Sequence, residues 1–130
     1  SKLALTKLPN KVKQIGMYAF LGCSNLALTE LPSEITSINQ MSFGYCSKLA
    51  LTELPFSITR IDDYAFGYCR GLTTITFQGT PETISKTAFG GCSNLTTINA
   101  PWAEGAVGNA PWGATNATIN YNYVAKEPSI

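Results

Sequence analysis

Four cysteines are the residues of this chain whose type and spacing could do chemistry. They stand at Cys23, Cys46, Cys69 and Cys92, so the interval between successive cysteines is constant and defines a 23-residue period. Four thiols in a short chain can form a disulfide framework or a metal site with four thiolate ligands. No two of them form a C-x-x-C pair, and their even interval favours reduced, buried thiols that behave as small apolar side chains.

Two other readings of the cysteines stay open. Equivalent positions of stacked chain segments lie about 4.8 Å apart, a Cα separation that a disulfide tolerates. A disulfide also needs the two Cβ atoms to face each other, whereas stacked segments point their side chains in parallel. One or two bridges between neighbouring cysteines are therefore the second choice, and a metal site is the third. We predict no metal and no cofactor.

The chain contains no histidine. This removes most catalytic triads, most zinc sites with mixed ligands and a general base that titrates near neutral pH. Only 8 carboxylate side chains remain for acid and base chemistry. The composition therefore predicts a protein that is not an enzyme.

Charged residues are scarce and nearly balanced. They make up 13% of the 130 residues, and the net charge is +1. A surface this neutral has no electrostatic footprint for nucleic acid or anionic lipid. No run of 18 apolar residues is present, so membrane insertion is not expected.

Three other sets of residues recur at the same 23-residue interval as the cysteines. These are the phenylalanines Phe20, Phe43, Phe66 and Phe89, the isoleucines Ile15, Ile38, Ile61 and Ile84, and the leucines Leu26, Leu49, Leu72 and Leu95. Such a period is the signature of a solenoid, in which each repeat buries its apolar face by stacking on its neighbours. The pattern predicts one mainly β solenoid domain over residues 1–130.

The anchors divide the chain into coils at residues 2–24, 25–47, 48–70 and 71–93, followed by a degenerate capping repeat at 94–123 and a tail at 124–130. In the cap, Val107 and Trp112 stand one full period after the last isoleucine and phenylalanine anchors, and Thr115 and Thr118 take the cysteine and leucine positions. Polar substitution suits a terminal repeat whose outer face meets water. The chain starts in phase with the repeat, so we expect it to be a piece of a longer protein with any targeting segment upstream.

Each coil should contain two short strands and one corner. Prolines at 9, 32 and 55 separate the halves, and the segment 72–77 alternates so that Ile75 and Phe77 share one side. Equivalent strands of successive coils should pair in parallel and in register. The corner, A-F-G-Y-C in the third coil, is predicted to be a single helical turn. Gly67, like Gly44 and Gly90, would permit the close or left-handed backbone that ends this turn.

The pattern I-x-x-Y-A-F-x-x-C-x-x-L, as it stands from Ile61 to Leu72, closely resembles the BspA-like leucine-rich repeats of bacteria. The likeness covers residues 1 to about 100 strongly and the following segment more loosely. It implies a leucine-rich-repeat solenoid on a secreted or cell-surface protein that binds other proteins or host matrix. The family has no catalytic residues to transfer.

Our leading hypothesis is therefore an extracellular, non-catalytic binding module of the adhesion type for an unidentified protein or host-matrix partner. The surface predicted to bind is the concave strand face, built from Glu30, Glu53, Thr73, Thr74, Thr76, Thr96 and Thr97. The competing hypothesis is a structural spacer that carries other domains and has no ligand of its own.

Several side chains have two interpretations each. Leu5, Leu28 and Leu51 form either an exposed apolar stripe, which would suit binding, or, as we favour, a row that a local bulge turns inward. Tyr45 and Tyr68 form either an interaction patch or, as we favour, a stack between coils.

Other positions give weaker signals. Asp62 and Asp63 are adjacent carboxylates, but a calcium site needs further oxygen ligands at set spacing. The sequons at Asn94 and Asn116 are weak patterns, and Trp102 is assigned to the cap.

Overall fold

The computed structural model describes residues 5–124. Within this range the chain forms short strands and no helix: β1 (Gln14–Ile15), β2 (Ser37–Ile38), β3 (Glu53–Leu54), β4 (Arg60–Ile61), β5 (Thr74–Phe77), β6 (Thr83–Ile84), β7 (Thr97–Asn99) and β8 (Thr118–Asn120). One sheet has the order β1-β2-β4-β6 and the other β3-β5-β7-β8. All strand pairs in the described range are parallel. The predicted parallel, mainly β solenoid is therefore present.

The registers of the strand pairs reproduce the period of the sequence. In the first sheet Ile15, Ile38, Ile61 and Ile84 pair in succession, and all four are buried. Equivalent apolar residues therefore lie in rows that run along the solenoid. Each coil covers the apolar residues of the coil next to it.

The phenylalanine anchors form one continuous stack inside the solenoid. Successive ring centroids lie 5.5, 5.4 and 5.4 Å apart, and the ring planes are within 10° of parallel. Phe43, Phe66 and Phe89 are fully buried. Phe20, in the first coil, is only partly buried because no described coil precedes it.

The corners are chains of overlapping turns in place of the predicted helical turn. In the third coil the N–H groups of Ala65, Gly67 and Cys69 donate to carbonyl groups three residues earlier, at 3.1, 2.8 and 3.3 Å. The N–H groups between them, on Phe66 and Tyr68, donate to carbonyl groups of the next coil at 2.9 and 2.8 Å. A regular helix would keep these bonds within the segment, whereas this corner uses alternate ones to hold the following coil.

The left-handed residue of the corner lies one position later than predicted. The backbone angle φ is +60° at Tyr45, +58° at Tyr68 and +76° at Gly91, each directly after the repeated corner glycine of its coil. Gly67 serves the other predicted purpose, close approach, since a Cβ atom there would lie 2.9 Å from the Cβ of Tyr64.

The leucine column points inward in the second and third coils, as we favoured. Leu28 and Leu51 are buried, while the following residues, Thr29 and Thr52, are exposed. Leu5, in the first coil, is 39% exposed. The inward leucines shorten the strand: in the third coil it begins only at Glu53.

The capping repeat buries both of its predicted apolar anchors, Val107 and Trp112. The indole of Trp112 packs edge-on against Trp102 at a centroid distance of 5.9 Å and tilts against Phe77 at 6.2 Å. Its Nε1–H donates to the carbonyl oxygen of Gly108 at 2.7 Å. An aromatic cluster therefore closes this end of the core.

The prediction for the next two cap positions is wrong by one residue. The Ala117 N–H donates to the Ala114 carbonyl oxygen, as that of Leu95 does to Cys92 in the coil before. Ala114 and Ala117 therefore take the cysteine and leucine positions, and Thr115 and Thr118 are exposed. By β8 the register has shortened further, because Thr118 pairs with Thr97, whereas Thr97 itself pairs with Thr74 at the full period.

Candidate functional site

The outer side of the second sheet, with its extension into the second coil, carries a continuous polar surface. We call it the polar strand face and define it as Glu30, Glu53, Thr74, Thr76, Thr97, Asn99, Thr118 and Asn120. Side chains alternate along a strand, so Ile75 and Phe77 go into the core while the threonines of β5 stay half-exposed on the other side. Glu30 and Glu53 are the charged side chains among the residues that define this face.

Hydrogen bonds between side chains order much of this face. The Asn120 Nδ2 donates to the Asn99 Oδ1 at 2.8 Å, and the Asn99 Nδ2 donates to the Thr76 Oγ1 at 2.9 Å. Between the fourth and third coils, the Gln78 side-chain amide donates to the Glu53 carboxylate. Each bond joins residues that lie 21 to 25 positions apart in the chain, so the side chains hold fixed positions before any ligand arrives.

The structure brings most of the predicted binding residues together. Thr74, Thr76, Thr97 and Glu53 lie on strands of the second sheet. Thr73 and Thr96 precede the strands, are exposed and are joined by a backbone hydrogen bond of 3.0 Å.

Glu30 stands one repeat period before Glu53 and forms an ion pair of 3.2 Å with Lys7. Sequence reasoning missed Asn99, Thr118 and Asn120. The repeat period could have found the first of them, because Asn99 follows Thr76 at that interval.

A shallow groove borders the polar strand face at its acidic end. Its cavity of about 210 Å³ is lined by Glu30, Glu53, Phe56 and Gln78, among others. The Phe56 side chain is 72% exposed. The groove therefore places an uncovered aromatic ring next to two carboxylates.

All four cysteines are buried, and none of them forms a disulfide. The Sγ atoms of Cys46, Cys69 and Cys92 each donate to the carbonyl oxygen of the phenylalanine one coil earlier, at 3.1, 3.0 and 2.9 Å. Burial raises the pKa of the Cys46 and Cys92 thiols to about 11 and that of Cys69 well above its ordinary value. The reactive thiolate is therefore suppressed, and these side chains join coils to one another.

Alkaline pH should destabilise the protein through these thiols. Unfolding returns each thiol to its ordinary pKa near 9.0, so the unfolded chain loses protons first and the free energy of unfolding falls as pH rises from about 9 to 11. Each fully buried thiol contributes up to about 1.4 kcal/mol per pH unit to this fall. Cys69→Ser keeps a hydrogen-bond donor and does not ionise. We expect it to reduce the fall of the unfolding free energy with pH by about this amount, as measured by urea unfolding at pH 8 to 10.5. Parallel curves for the two proteins would contradict this account.

Comparison with known proteins identifies the repeat. The sequence profile of the family described as BspA type leucine rich repeat region, with 6 copies, matches residues 1–109. The chain belongs to the BspA-type leucine-rich repeat family. No curated protein sequence matches this chain. A solved leucine-rich repeat protein from Bacteroides ovatus ATCC 8483 is 25% identical, with a TM-score of 0.49 over 72% of this chain and 30% of that one. The chain thus spans under a third of that protein's length.

Other candidate groups of this BspA-type chain have local partners. Arg60 forms an ion pair of 2.9 Å with Asp62, and the Ser85 hydroxyl donates to Asp63. No group of three or more His, Cys, Asp or Glu side chains within residues 5–124 could hold a metal ion. In the same range no helix is long and apolar enough to cross a membrane.

The two sequon asparagines of the BspA-type repeats support the stacking of coils. The Asn94 Nδ2 donates to the Arg70 carbonyl oxygen at 2.9 Å, and the Asn116 Nδ2 donates to that of Ser93 at 3.1 Å. Both amide nitrogens are therefore engaged with the preceding coil.

Proposed function

We propose that this chain is a non-catalytic binding module of a secreted or cell-surface bacterial protein, and that its polar strand face meets a protein or host-matrix partner. The observation that carries the proposal is the row of ordered polar side chains from Glu53 through Thr76 and Asn99 to Asn120. Their hydrogen bonds link neighbouring strands of the second sheet, so binding would freeze few additional side chains. Preorganisation of this kind lowers the entropic cost of association.

The leucine-rich-repeat fold supports the same conclusion. Leucine-rich repeats stack into extended surfaces that suit large partners. Here Ile75, Phe77 and Ile98 on the inner side of β5 and β7 lie in the core, whereas the threonines on the outer side stay half-exposed. An absence of histidine and of clustered metal-ligating side chains among residues 5–124 also supports a role without catalysis.

A structural spacer is the second candidate, and one observation favours it. Asn99 is only 8% exposed and its side chain is bonded on both sides. Part of the face therefore satisfies its own polar groups without a ligand, as a purely structural ladder would.

A charge scan of both sheets separates the two candidates. Purified extracellular-matrix proteins would be tested for binding to the wild-type chain, to Thr74→Arg with Thr97→Arg on the polar strand face, and to Thr83→Arg, which lies exposed on the first sheet. We expect the double variant to lose about tenfold or more in affinity, as central interface positions do, and the control to bind as the wild type does. No binding by the wild type, or equal binding by all three, would favour the spacer.

A further inference from the structure

The shallow groove at the acidic end of the polar strand face combines an uncovered aromatic ring with two carboxylates. We call it the acidic groove and define it by Glu30, Glu53, Phe56 and Gln78. Its volume of about 210 Å³ is smaller than the roughly 300 to 1,000 Å³ of pockets that take whole small molecules. The acidic groove therefore suits a single side chain of a larger partner.

The ring of Phe56 takes no part in the core. Its side chain is 72% exposed, and it is not among the partly buried apolar residues of the described chain that pack against the core. The exposed rings of Tyr45 and Tyr68 stack on each other at a centroid distance of 4.6 Å, as we favoured. Phe56 stacks on no other ring of residues 5–124, so its ring is free to meet a ligand.

The coils on either side of Phe56 place no large side chain at its repeat position. One period earlier the chain has Ser33, and one period later it has Gly79. Gly79 has no side chain to lie on the ring, and its backbone packs so closely that a Cβ atom there would lie 2.8 Å from the Phe56 Cα. The uncovered ring therefore results from the residues of both neighbouring coils within the array.

The two carboxylates of the acidic groove are unequally compensated. Glu30 forms an ion pair of 3.2 Å with Lys7, which stands one repeat period before it. Glu53 stands one period after Glu30 and accepts a hydrogen bond from the neutral side-chain amide of Gln78. No lysine or arginine of residues 5–124 forms an ion pair with Glu53. The acidic groove therefore has a carboxylate without a cation beside it.

The junction one coil earlier gives an internal comparison. A cavity of about 260 Å³ lies there, with Lys7, Asn10, Glu30 and Ser33 among its lining residues. At that junction the chain itself supplies the cation to Glu30, and polar residues take the repeat position of Phe56. The acidic groove differs in having an aromatic ring and in lacking a cation for its second carboxylate, so it is the junction prepared for a cation from outside.

We propose that the acidic groove binds one arginine side chain of a partner protein, with the guanidinium group stacked on the Phe56 ring and donating to Glu53. Both residues line the same cavity, so one group can meet both. A guanidinium group is planar and permanently charged, and it can stack on an aromatic face while its N–H groups bond a carboxylate. A lysine ammonium group lacks this planar shape. Pro55 and Leu31, which also line the groove, would contact the aliphatic part of the arginine.

This inference rests on the proposed function for its partner and adds the side chain that the partner must present. Two variants test it at exposed positions, so both should fold. Phe56→Ser removes the stacking ring and installs the residue that Ser33 provides one coil earlier. Glu53→Gln removes the charge and keeps an oxygen that can accept from Gln78. The control is Glu104→Gln, which removes an exposed carboxylate from the cap.

Small probes and NMR measure the binding. N-acetylargininamide would be titrated into the isotopically labelled chain, with N-acetyllysinamide and N-acetylcitrullinamide as the ammonium and the uncharged probes. We expect saturable shifts at the Glu53 and Phe56 amides with the arginine probe, weaker binding of the lysine probe and no saturation with the citrulline probe. Phe56→Ser and Glu53→Gln should each weaken the affinity for the arginine probe about two- to fivefold, and Glu104→Gln should leave it unchanged.

Three results would overturn the proposal: arginine-probe shifts that do not saturate, equal binding of the citrulline probe, or unchanged affinity in both groove variants. Equal binding of the lysine and arginine probes would show a site for any cation and would overturn the assignment to arginine.

Failure of the proposed function gives a different pattern of results. The arginine probe is measured without any matrix protein, and the Thr74→Arg and Thr97→Arg double variant changes strands outside the groove. If no matrix protein binds while the arginine probe saturates and responds to both groove variants, the proposed function fails and the chemistry of the groove stands. If the double variant loses matrix binding while the arginine probe does not saturate, this inference alone fails.

Discussion

Replacing Phe66 by alanine is expected to lower the free energy of unfolding by about 3 to 5 kcal/mol, the usual cost of truncating a buried aromatic residue. Phe66 is fully buried and stacks at 5.4 Å on Phe43 on one side and on Phe89 on the other. The substitution therefore opens a cavity that interrupts the row in its middle. Urea unfolding followed by circular dichroism measures the loss.

The first coil supplies the control for this prediction. Phe20→Ala removes the same atoms from a ring that is only partly buried and stacks on one side, so its effect should be clearly smaller. Because coils are coupled only to their neighbours, Phe66→Ala should also broaden the transition as the two halves of the array unfold separately. Equal losses in the two variants would show that the row does not act as a continuous core.

Replacing Trp112 by alanine should have a similarly large effect, about 3 to 5 kcal/mol. The side chain is fully buried, touches Phe77 and Trp102 and donates its indole N–H to Gly108. Its loss would open the end of the core to water and release the capping repeat. Thermal unfolding, with tryptophan fluorescence from Trp102 as the probe of the cap, measures this.

Trp112→Phe separates the ring from its hydrogen bond. This variant keeps most of the apolar volume and loses only the N–H donor, so we expect about 1 to 3 kcal/mol, the range for leaving a buried acceptor unpaired plus a small cavity. If the alanine variant were no less stable than the phenylalanine variant, the cap would not depend on the indole packing.

The sequence predicted the rows of the solenoid because a fixed interval acts on every coil alike. Parallel, in-register pairing converts that interval into contacts, so Ile61 had to meet Ile38 and Phe66 had to meet Phe43. This reasoning does not extend to the cap. Its chain is shorter than the coil before it, since Thr118 pairs with Thr97 at less than the full period, and nothing in the residue types at Thr115 and Thr118 shows where the deletion falls.

Local backbone geometry was harder to predict than the rows. Leucines such as Leu51 could point either way at the same spacing, and only the structure, in which Leu51 is buried and Thr52 is exposed, decides. The glycine at position 67 suggested a left-handed angle there, but left-handed angles fall on Tyr64 and Tyr68. Gly67 is needed instead because the Tyr64 ring lies close to it. The threonines of the candidate site followed from strand alternation, but Asn120 did not, because its distance along the chain from Asn99 falls short of the repeat period.

The alternate corner bonds give the column of corners an electrical polarity. In the corners the N–H groups of Phe20, Phe43 and Phe66 all donate towards the following coil, at 2.8, 2.9 and 2.9 Å. Their peptide dipoles therefore align along the stacking axis and add, as they do in an α-helix. Backbone bonds at the strands, such as those of Asn39 to Ile15 and of Asp62 to Ile38, donate towards the preceding coil, so this polarity belongs to the corner column alone. Cations should be favoured beside the first-coil end of that column and anions beside its cap end.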